Sequence, residues 1–219
     1  MSDEMLSVEA ATQLFIRKTG EYNFARWGRP IAPVVFGVDD TTLTCLKDAI
    51  AQTVAVTGGT LAETDPELGA NFMWFFCSEW DEVGRVPDLE KLVPNLGDLV
   101  ATLQTKNVNE HRMFIFDADG AIKMCLLFIR MKGAVADMSV QALATGETLQ
   151  SLLTWSEDAF DTQSPIATIK ENGICIVKPS FACLVRAAYD ATMPPSASDA
   201  SHAMRLHPRM QKLYSDLGQ

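Results

Sequence analysis

A β-hairpin centred on residues 117–120 is the feature that most restricts the fold of this chain. Residues 112–116 and 121–131 are rich in apolar residues, and the segment Asp-Ala-Asp-Gly lies between them. Asp-Gly suits a tight turn because glycine adopts a positive φ without strain. The pattern predicts an antiparallel hairpin over about 111–132. Its alternating carboxylates resemble a calcium loop, but the distal glutamate of that motif is missing, so a plain turn is the preferred interpretation.

A second β-segment, Phe72–Cys77, is apolar on both faces, which is typical of a strand in the middle of a sheet. Residues 30–38 predict another strand, whose two prolines favour an edge or a strand start. Helical spacing predicts helices near residues 7–18, 39–58, 95–104, 139–155 and 179–189, and a last helix with Pro208 in its first turn. The fold class that follows is α+β, with a mixed or antiparallel sheet packed by helices.

The length of the chain fits one domain. At 219 residues, such a domain buries roughly 70% of the surface that its unfolded state exposes. Only residues 193–201, rich in Pro, Ser and Ala, resemble a linker. We therefore predict a single α+β domain over 1–219, with residues 199–219 as a candidate C-terminal helical extension. The sequence leaves the oligomeric state open.

Charge and composition exclude several classes of partner. The formal net charge is −10 at pH 7 and the pI is about 4.7, so the surface repels phosphate backbones and anionic lipid headgroups. No apolar run approaches the roughly 20 residues that a membrane-spanning helix needs. We expect no nucleic-acid partner and no membrane partner, and a protein partner instead.

The cysteines and the first residues predict a cytoplasmic location. The five cysteines are odd in number, show no C-x-x-C spacing and lie in largely apolar stretches. This pattern indicates buried free thiols in a reducing compartment. The amino terminus is acidic where a secretory signal would be basic.

Motifs that hold cofactors or metals are missing from the sequence. Neither G-x-G-x-x-G nor G-K-[ST] occurs, so we expect no nucleotide. The spacing of His202 and His207 misses the i, i+4 pair of a helical zinc site, and we expect both histidines to face solvent. The sequence predicts no cofactor and no metal.

The carboxylate of Glu147 is the strongest candidate for chemistry. Residues 146–150 read Gly-Glu-Thr-Leu-Gln on the helix that follows a long strand, where zinc peptidases carry H-E-x-x-H. Gly146 and Gln150 occupy the two histidine positions. Glycine offers no ligand and a glutamine amide is a poor zinc donor, so the general-base carboxylate remains without its metal. Alone, Glu147 is equally typical of a structural or solvated helix residue.

Four segments occur in an order that resembles a known family. They are Arg26-Trp27 with Pro30-Ile31, residues 40–54, residues 147–152 and residues 184–195. They are similar to the opening strand, the first long helix, the degenerate peptidase helix and the L-Y-D segment of a bacterial family of uncharacterised proteins. That family is related to minimal zincin-type metallopeptidases, and its peptidase helix often reads E-E-x-x-Q. The resemblance implies a zincin-like α+β fold whose metal chemistry has been lost or altered.

Two functions are consistent with these observations. The first is a non-catalytic interaction or regulatory module on a degenerate metallopeptidase-like scaffold. The second is a hydrolase in which Glu147 acts as general base, with Gln150, Asp158 and Asp161 as candidate pocket residues.

Overall fold

The computed structural model describes residues 3–171 and 173–217; Met1, Ser2, Asn172, Gly218 and Gln219 lie outside the described residues. The strands are β1 (Phe24–Ala25), β2 (Pro33–Phe36), β3 (Phe72–Cys77), β4 (Glu110–Phe116), β5 (Ile122–Arg130), β6 (Ile166–Thr168), β7 (Cys175–Val177) and β8 (Ser196–Ala197). The helices are α1 (Val8–Gln13), α2 (Asp40–Thr57), α3 (Trp80–Val83), α4 (Leu96–Lys106), α5 (Val140–Leu152), α6 (Pro179–Ala188) and α7 (Ser201–Asp216). Two short 3₁₀ helices cover Leu89–Lys91 and Gly133–Val135.

Four strands form a mixed sheet in the order β2-β3-β5-β4. Strands β2, β3 and β5 are parallel, and β4 is antiparallel to β5. In the turn of the β4–β5 hairpin, Asp117 Oδ1 accepts the backbone N–H groups of Asp119 and Ala121, and Gly120 has a φ of 75°. The predicted α+β class, the hairpin and the central position of β3 are confirmed.

Helices cover both faces of this sheet, because its strands carry apolar side chains on both sides. Phe72 and Trp74 face the larger core with α2, α5, α6 and α7. Phe75 and Phe128 face a smaller core with α3 and α4. Burying one such side chain completely contributes about 1.5–3 kcal/mol.

Helix α2 forms where its caps and its apolar stripe predict it. The Asp39 carboxylate accepts the N–H of Thr42 at 2.9 Å, and Gly58 ends the helix with a φ of 80°. Its buried residues, Leu46, Ile50 and Val54 among them, lie on one face. This face packs against α5, so α2 holds α5 in place over the sheet.

Helix α7 corrects one prediction. Pro208 lies inside this helix, which begins at Ser201, and not in its first turn. The buried residues Ala203, Leu206 and Met210 lie on both sides of the proline and pack on α6 and α1. This shared apolar face outweighs the cost of about 3 kcal/mol that proline imposes on a helix interior.

His202 is buried, which contradicts the prediction that it faces solvent. It shares one helical face with Leu206 and Met210, at i, i+4 and i+8, so packing α7 buries the imidazole too. His202 Nδ1 lies 2.8 Å from the Tyr22 hydroxyl oxygen, and within the described part of the chain its Nε2 has no hydrogen-bond partner. The prediction of buried free thiols is wrong at one cysteine. All five thiols are free, but Cys45 is exposed on α2.

The burial of His202 predicts that acid destabilises the fold. Burial lowers the pKa of His202 to about 4, whereas an unfolded histidine protonates near pH 6.5. Below pH 6.5 the unfolded chain binds a proton that the folded chain does not, so the free energy of unfolding falls as the pH falls. We expect this group to remove about 2 kcal/mol between pH 6.5 and 4.5. In His202→Gln, the fall in the free energy of unfolding between these two pH values, measured by urea unfolding, should be smaller by this amount. A fall as large as that of the unmodified chain would contradict the assignment.

The segment before α1 is attached to α6 and α7. The Asp3 carboxylate accepts the N–H and the hydroxyl of Ser180, both at 2.7 Å, and the Tyr214 hydroxyl donates to the Asp3 carbonyl. Lys178, the residue that precedes α6, supplies no capping side chain. Asp3, which is 177 residues from Ser180 in sequence, therefore acts as the N-cap of α6. An N-cap typically contributes about 1 kcal/mol to the free energy of unfolding.

Candidate functional site

Helix α5 carries several polar side chains that are buried inside the protein. It begins after Ser139, whose hydroxyl oxygen accepts the N–H of Ala142. Glu147, Thr148 and Ser151 are all buried on this helix. Buried polar groups need partners inside the protein, so the surroundings of Glu147 determine what this helix can do.

Glu147 forms an ion pair with Arg112 of β4. Arg112 Nη2 lies 2.5 Å from Glu147 Oε2, and the side chains of the two residues are 19% and 4% exposed. Arg112 Nε donates to the Ser151 hydroxyl at 2.8 Å, and this hydroxyl donates to the Glu147 carbonyl at 2.7 Å. Arg112 thus joins the outermost strand of the sheet to two turns of α5.

A second carboxyl group, that of Glu110, lies beside the ion pair. Glu110 and Arg112 are two residues apart on β4, so both side chains point to the α5 side of the sheet. Burial raises the pKa of Glu147 to about 7; Arg112 opposes this shift, and hydrogen bonding and charge repulsion from Glu110 add to it. The Arg112 guanidinium group pairs with Glu147, and the exposed Glu110 carboxyl group lies close enough for its charge to act on Glu147.

Two adjoining cavities border this cluster. The larger, of about 450 Å³, is lined by Arg112 and Phe114 of β4 and by Trp155. The smaller, of about 220 Å³, is lined by Glu110 and Glu147. Gln150 and Phe160 line both. We call the two together the β4 groove: α5 is its floor, β4 is one wall, and residues 155–166 form the other.

The backbone of β4 is open along this groove. The N–H of Arg130 donates to the carbonyl of Asn109, and opposite residues of an antiparallel pair alternate between bonded and non-bonded. Glu110, Arg112 and Phe114 therefore point their N–H and C=O groups away from β5. No other strand of the described residues pairs with this side of β4.

The structure brings three of the four predicted site residues to the β4 groove. Glu147 lines the smaller cavity, Asp161 the larger, and Gln150 lies between them. Asp158 is separate from this group, because its carboxylate pairs with Lys18 at 2.9 Å and is 56% exposed.

Sequence reasoning missed Glu110 and Arg112. The available signal is the alternation within β4, which places Glu110, Arg112 and Phe114 on one face. That alternation alone does not show which face of β4 meets α5, since the opposite face carries the apolar residues Met113 and Ile115.

Comparisons with protein-family models, curated proteins and solved structures found no match to this chain. The resemblance to the zincin-related family therefore stays a prediction.

Two further properties concern only the described part of the chain. Within residues 3–171 and 173–217, no three His, Cys, Asp or Glu side chains form a group that could hold a metal ion. No helix in the same residues is both long and apolar enough to cross a membrane.

Proposed function

We propose that this chain is a non-catalytic interaction module that binds an extended segment of a protein partner in the β4 groove. The observation that carries the proposal is the open backbone edge of β4 beside two cavities. The position of Glu147 on α5, the first α-helix after the long strand β5, supports a degenerate metallopeptidase-like scaffold, since the H-E-x-x-H motif of zinc peptidases lies on a helix.

An added strand would use the free backbone groups of β4. Glu110, Arg112 and Phe114 offer outward N–H and C=O groups over the length of five residues. Peptide recognition by strand addition takes its affinity from such main-chain hydrogen bonds and its specificity from pockets for alternate side chains. The two cavities supply those pockets on the α5 side of the edge.

The ion pair fits a structural role in this module. Arg112 is held by Glu147 and Ser151 at the same time, so its side chain is fixed in one orientation. This fixes β4 against α5 and keeps the groove preformed. A preformed site lowers the entropic cost of binding.

A proline in β4 tests the proposal. Phe114→Pro removes one outward N–H and leaves the β4–β5 hydrogen bonds in place, because the N–H of residue 114 does not face β5. Phe114→Thr is the matched control, since it also loses the aromatic ring but keeps the N–H. The probe is a fluorescein-labelled positional-scanning decapeptide library, followed by fluorescence anisotropy.

We expect Phe114→Pro to bind the selected decapeptides about tenfold more weakly than Phe114→Thr, which corresponds to one hydrogen bond. Hydrogen exchange at the amides of Glu110, Arg112 and Phe114 should slow when peptide binds the unmodified chain. Equal affinity of the two variants, or the absence of any bound decapeptide, contradicts strand addition at β4.

A hydrolase with Glu147 as general base is the second candidate function. It is favoured by the position of Glu147 and Glu110 in one cavity and by the pKa of Glu147, which is raised to about 7 and suits proton uptake at neutral pH. A fluorogenic peptide library separates the two functions. Turnover that Glu147→Gln abolishes without loss of folding favours the hydrolase, and binding without turnover favours the module.

A further inference from the structure

We infer that the smaller cavity of the β4 groove is a subsite for a lysine or arginine side chain of the bound segment. The inference rests on the proposed function, because the cation is delivered by an extended peptide paired with β4. Its basis is the local imbalance of charge, the shape and lining of the cavity, and the charge of the whole groove.

The charge imbalance lies at Glu110, Glu147 and Arg112. Arg112 directs one nitrogen to Glu147 and another to Ser151. Glu110 and Glu147 line the same cavity, and the negative charge of Glu110 helps to raise the pKa of Glu147. A second cation at this place would match two carboxylates with two positive charges.

The cavity suits the two parts of a long basic side chain. Met138, Leu143 and Ile166 provide apolar walls, and Glu110 and Glu147 provide the acidic part. Lysine and arginine have an apolar stem and a charged head, and proteins accommodate the stem along apolar surface. At about 220 Å³, the cavity is smaller than the roughly 300–1,000 Å³ of typical small-molecule sites, so it fits one side chain.

The charge of the groove favours the same occupant. Its charged lining residues are four carboxylates, those of Glu110, Glu147, Glu157 and Asp161, against the guanidinium groups of Arg17 and Arg112. Arg17 already donates to the carbonyls of Thr154 and Trp155. The net charge of −10 also attracts a basic segment at long range.

The groove sets the spacing within the bound segment. Successive side chains of a strand point to opposite faces, so the basic residue and the residue that enters the larger cavity are two positions apart. The larger cavity contains Phe114 and Trp155, which suits an apolar or aromatic side chain.

The experiment uses three sets of fluorescein-labelled decapeptide libraries, in which one position is fixed as lysine, norleucine or glutamate. Norleucine is the matched control for lysine because it keeps an apolar stem and lacks the charge. The protein variants are Glu110→Gln and, as a control for the change in net charge, Glu90→Gln, which is exposed and outside the groove.

We expect the unmodified chain and Glu90→Gln to bind the best lysine library about tenfold more tightly than its norleucine counterpart, and the glutamate library more weakly than both. In Glu110→Gln the preference for lysine should fall to about threefold or less, because one carboxylate is gone. Equal binding of lysine and norleucine by the unmodified chain overturns the cation subsite, and a lysine preference unchanged in Glu110→Gln assigns it to another place.

These outcomes are separate from a failure of the proposed function. If Phe114→Pro weakens binding of all three libraries relative to Phe114→Thr, strand addition at β4 stands even when lysine and norleucine bind equally. If no library binds, or if Phe114→Pro binds as Phe114→Thr does, both the groove and its cation subsite are wrong.

Discussion

Arg112→Met should lower the free energy of unfolding by about 3–5 kcal/mol at pH 8, the usual cost of removing one partner from a buried ion pair. The variant leaves the Glu147 carboxylate buried, with Glu110 beside it and no cation. Urea unfolding monitored by circular dichroism measures the loss. Arg85→Met is the control, since Arg85 is exposed, and it should stay within about 0.5 kcal/mol of the unmodified chain.

The loss should depend on pH. Removing Arg112 takes away the charge that lowers the pKa of Glu147, so this pKa rises further above that of an unfolded glutamate. A raised carboxyl pKa means that the folded chain holds a proton that the unfolded chain releases, and stability falls as the pH rises above about 4.5. The deficit of Arg112→Met should therefore be smaller at pH 5 than at pH 8.

A double variant completes this test. Arg112→Met with Glu147→Met removes both charges, and exchanging a buried ion pair for apolar side chains is often neutral or stabilising. We expect its free energy of unfolding to lie within about 1 kcal/mol of the unmodified chain. An equal deficit of Arg112→Met at pH 5 and pH 8 would show that the unpaired carboxylate is not its cause.

Phe128→Ala should cost about 3–5 kcal/mol, as large truncations in protein cores do. Phe128 is fully buried on β5, and its ring stacks on Phe75 of β3 at 5.1 Å between centroids. The truncation leaves a cavity between the sheet and the helices α3 and α4. Unfolding in guanidinium chloride measures the loss.

Phe116→Ala provides the matched control for this truncation. Phe116 ends β4 and is 46% exposed, so its loss should cost less than about 1 kcal/mol. Equal losses of unfolding free energy in Phe128→Ala and Phe116→Ala would mean that Phe128 does not pack in a second core with α3 and α4.

The elements that the sequence predicts well are those with local signals. The Asp-Gly turn defines the β4–β5 hairpin within a few residues, and Phe72–Cys77 shows its central position by being apolar on both faces. Helix α2 carries both of its caps and its apolar stripe within 20 residues. Each of these signals requires no knowledge of the rest of the fold.

The candidate site depends instead on distant pairs. Glu147 and Arg112 are 35 residues apart in sequence, and only the packing of α5 on the sheet brings them together. Without that partner, Glu147 looks like an isolated carboxylate. The prediction that His202 faces solvent is wrong for the same reason, because its partner Tyr22 is 180 residues away in sequence.

The attachment of Asp3 to α6 has a consequence for folding during synthesis. Asp3 leaves the ribosome 177 residues before Ser180, whose backbone N–H it caps. At the usual rate of about 5–20 residues per second, this gap lasts roughly 10–35 s. Throughout this time residue 3 has no docking partner in α6, so the contact closes only after Ser180 has emerged. Such long-range closure slows folding, and chaperones that recognise apolar segments can reach residues 3–14 during that interval.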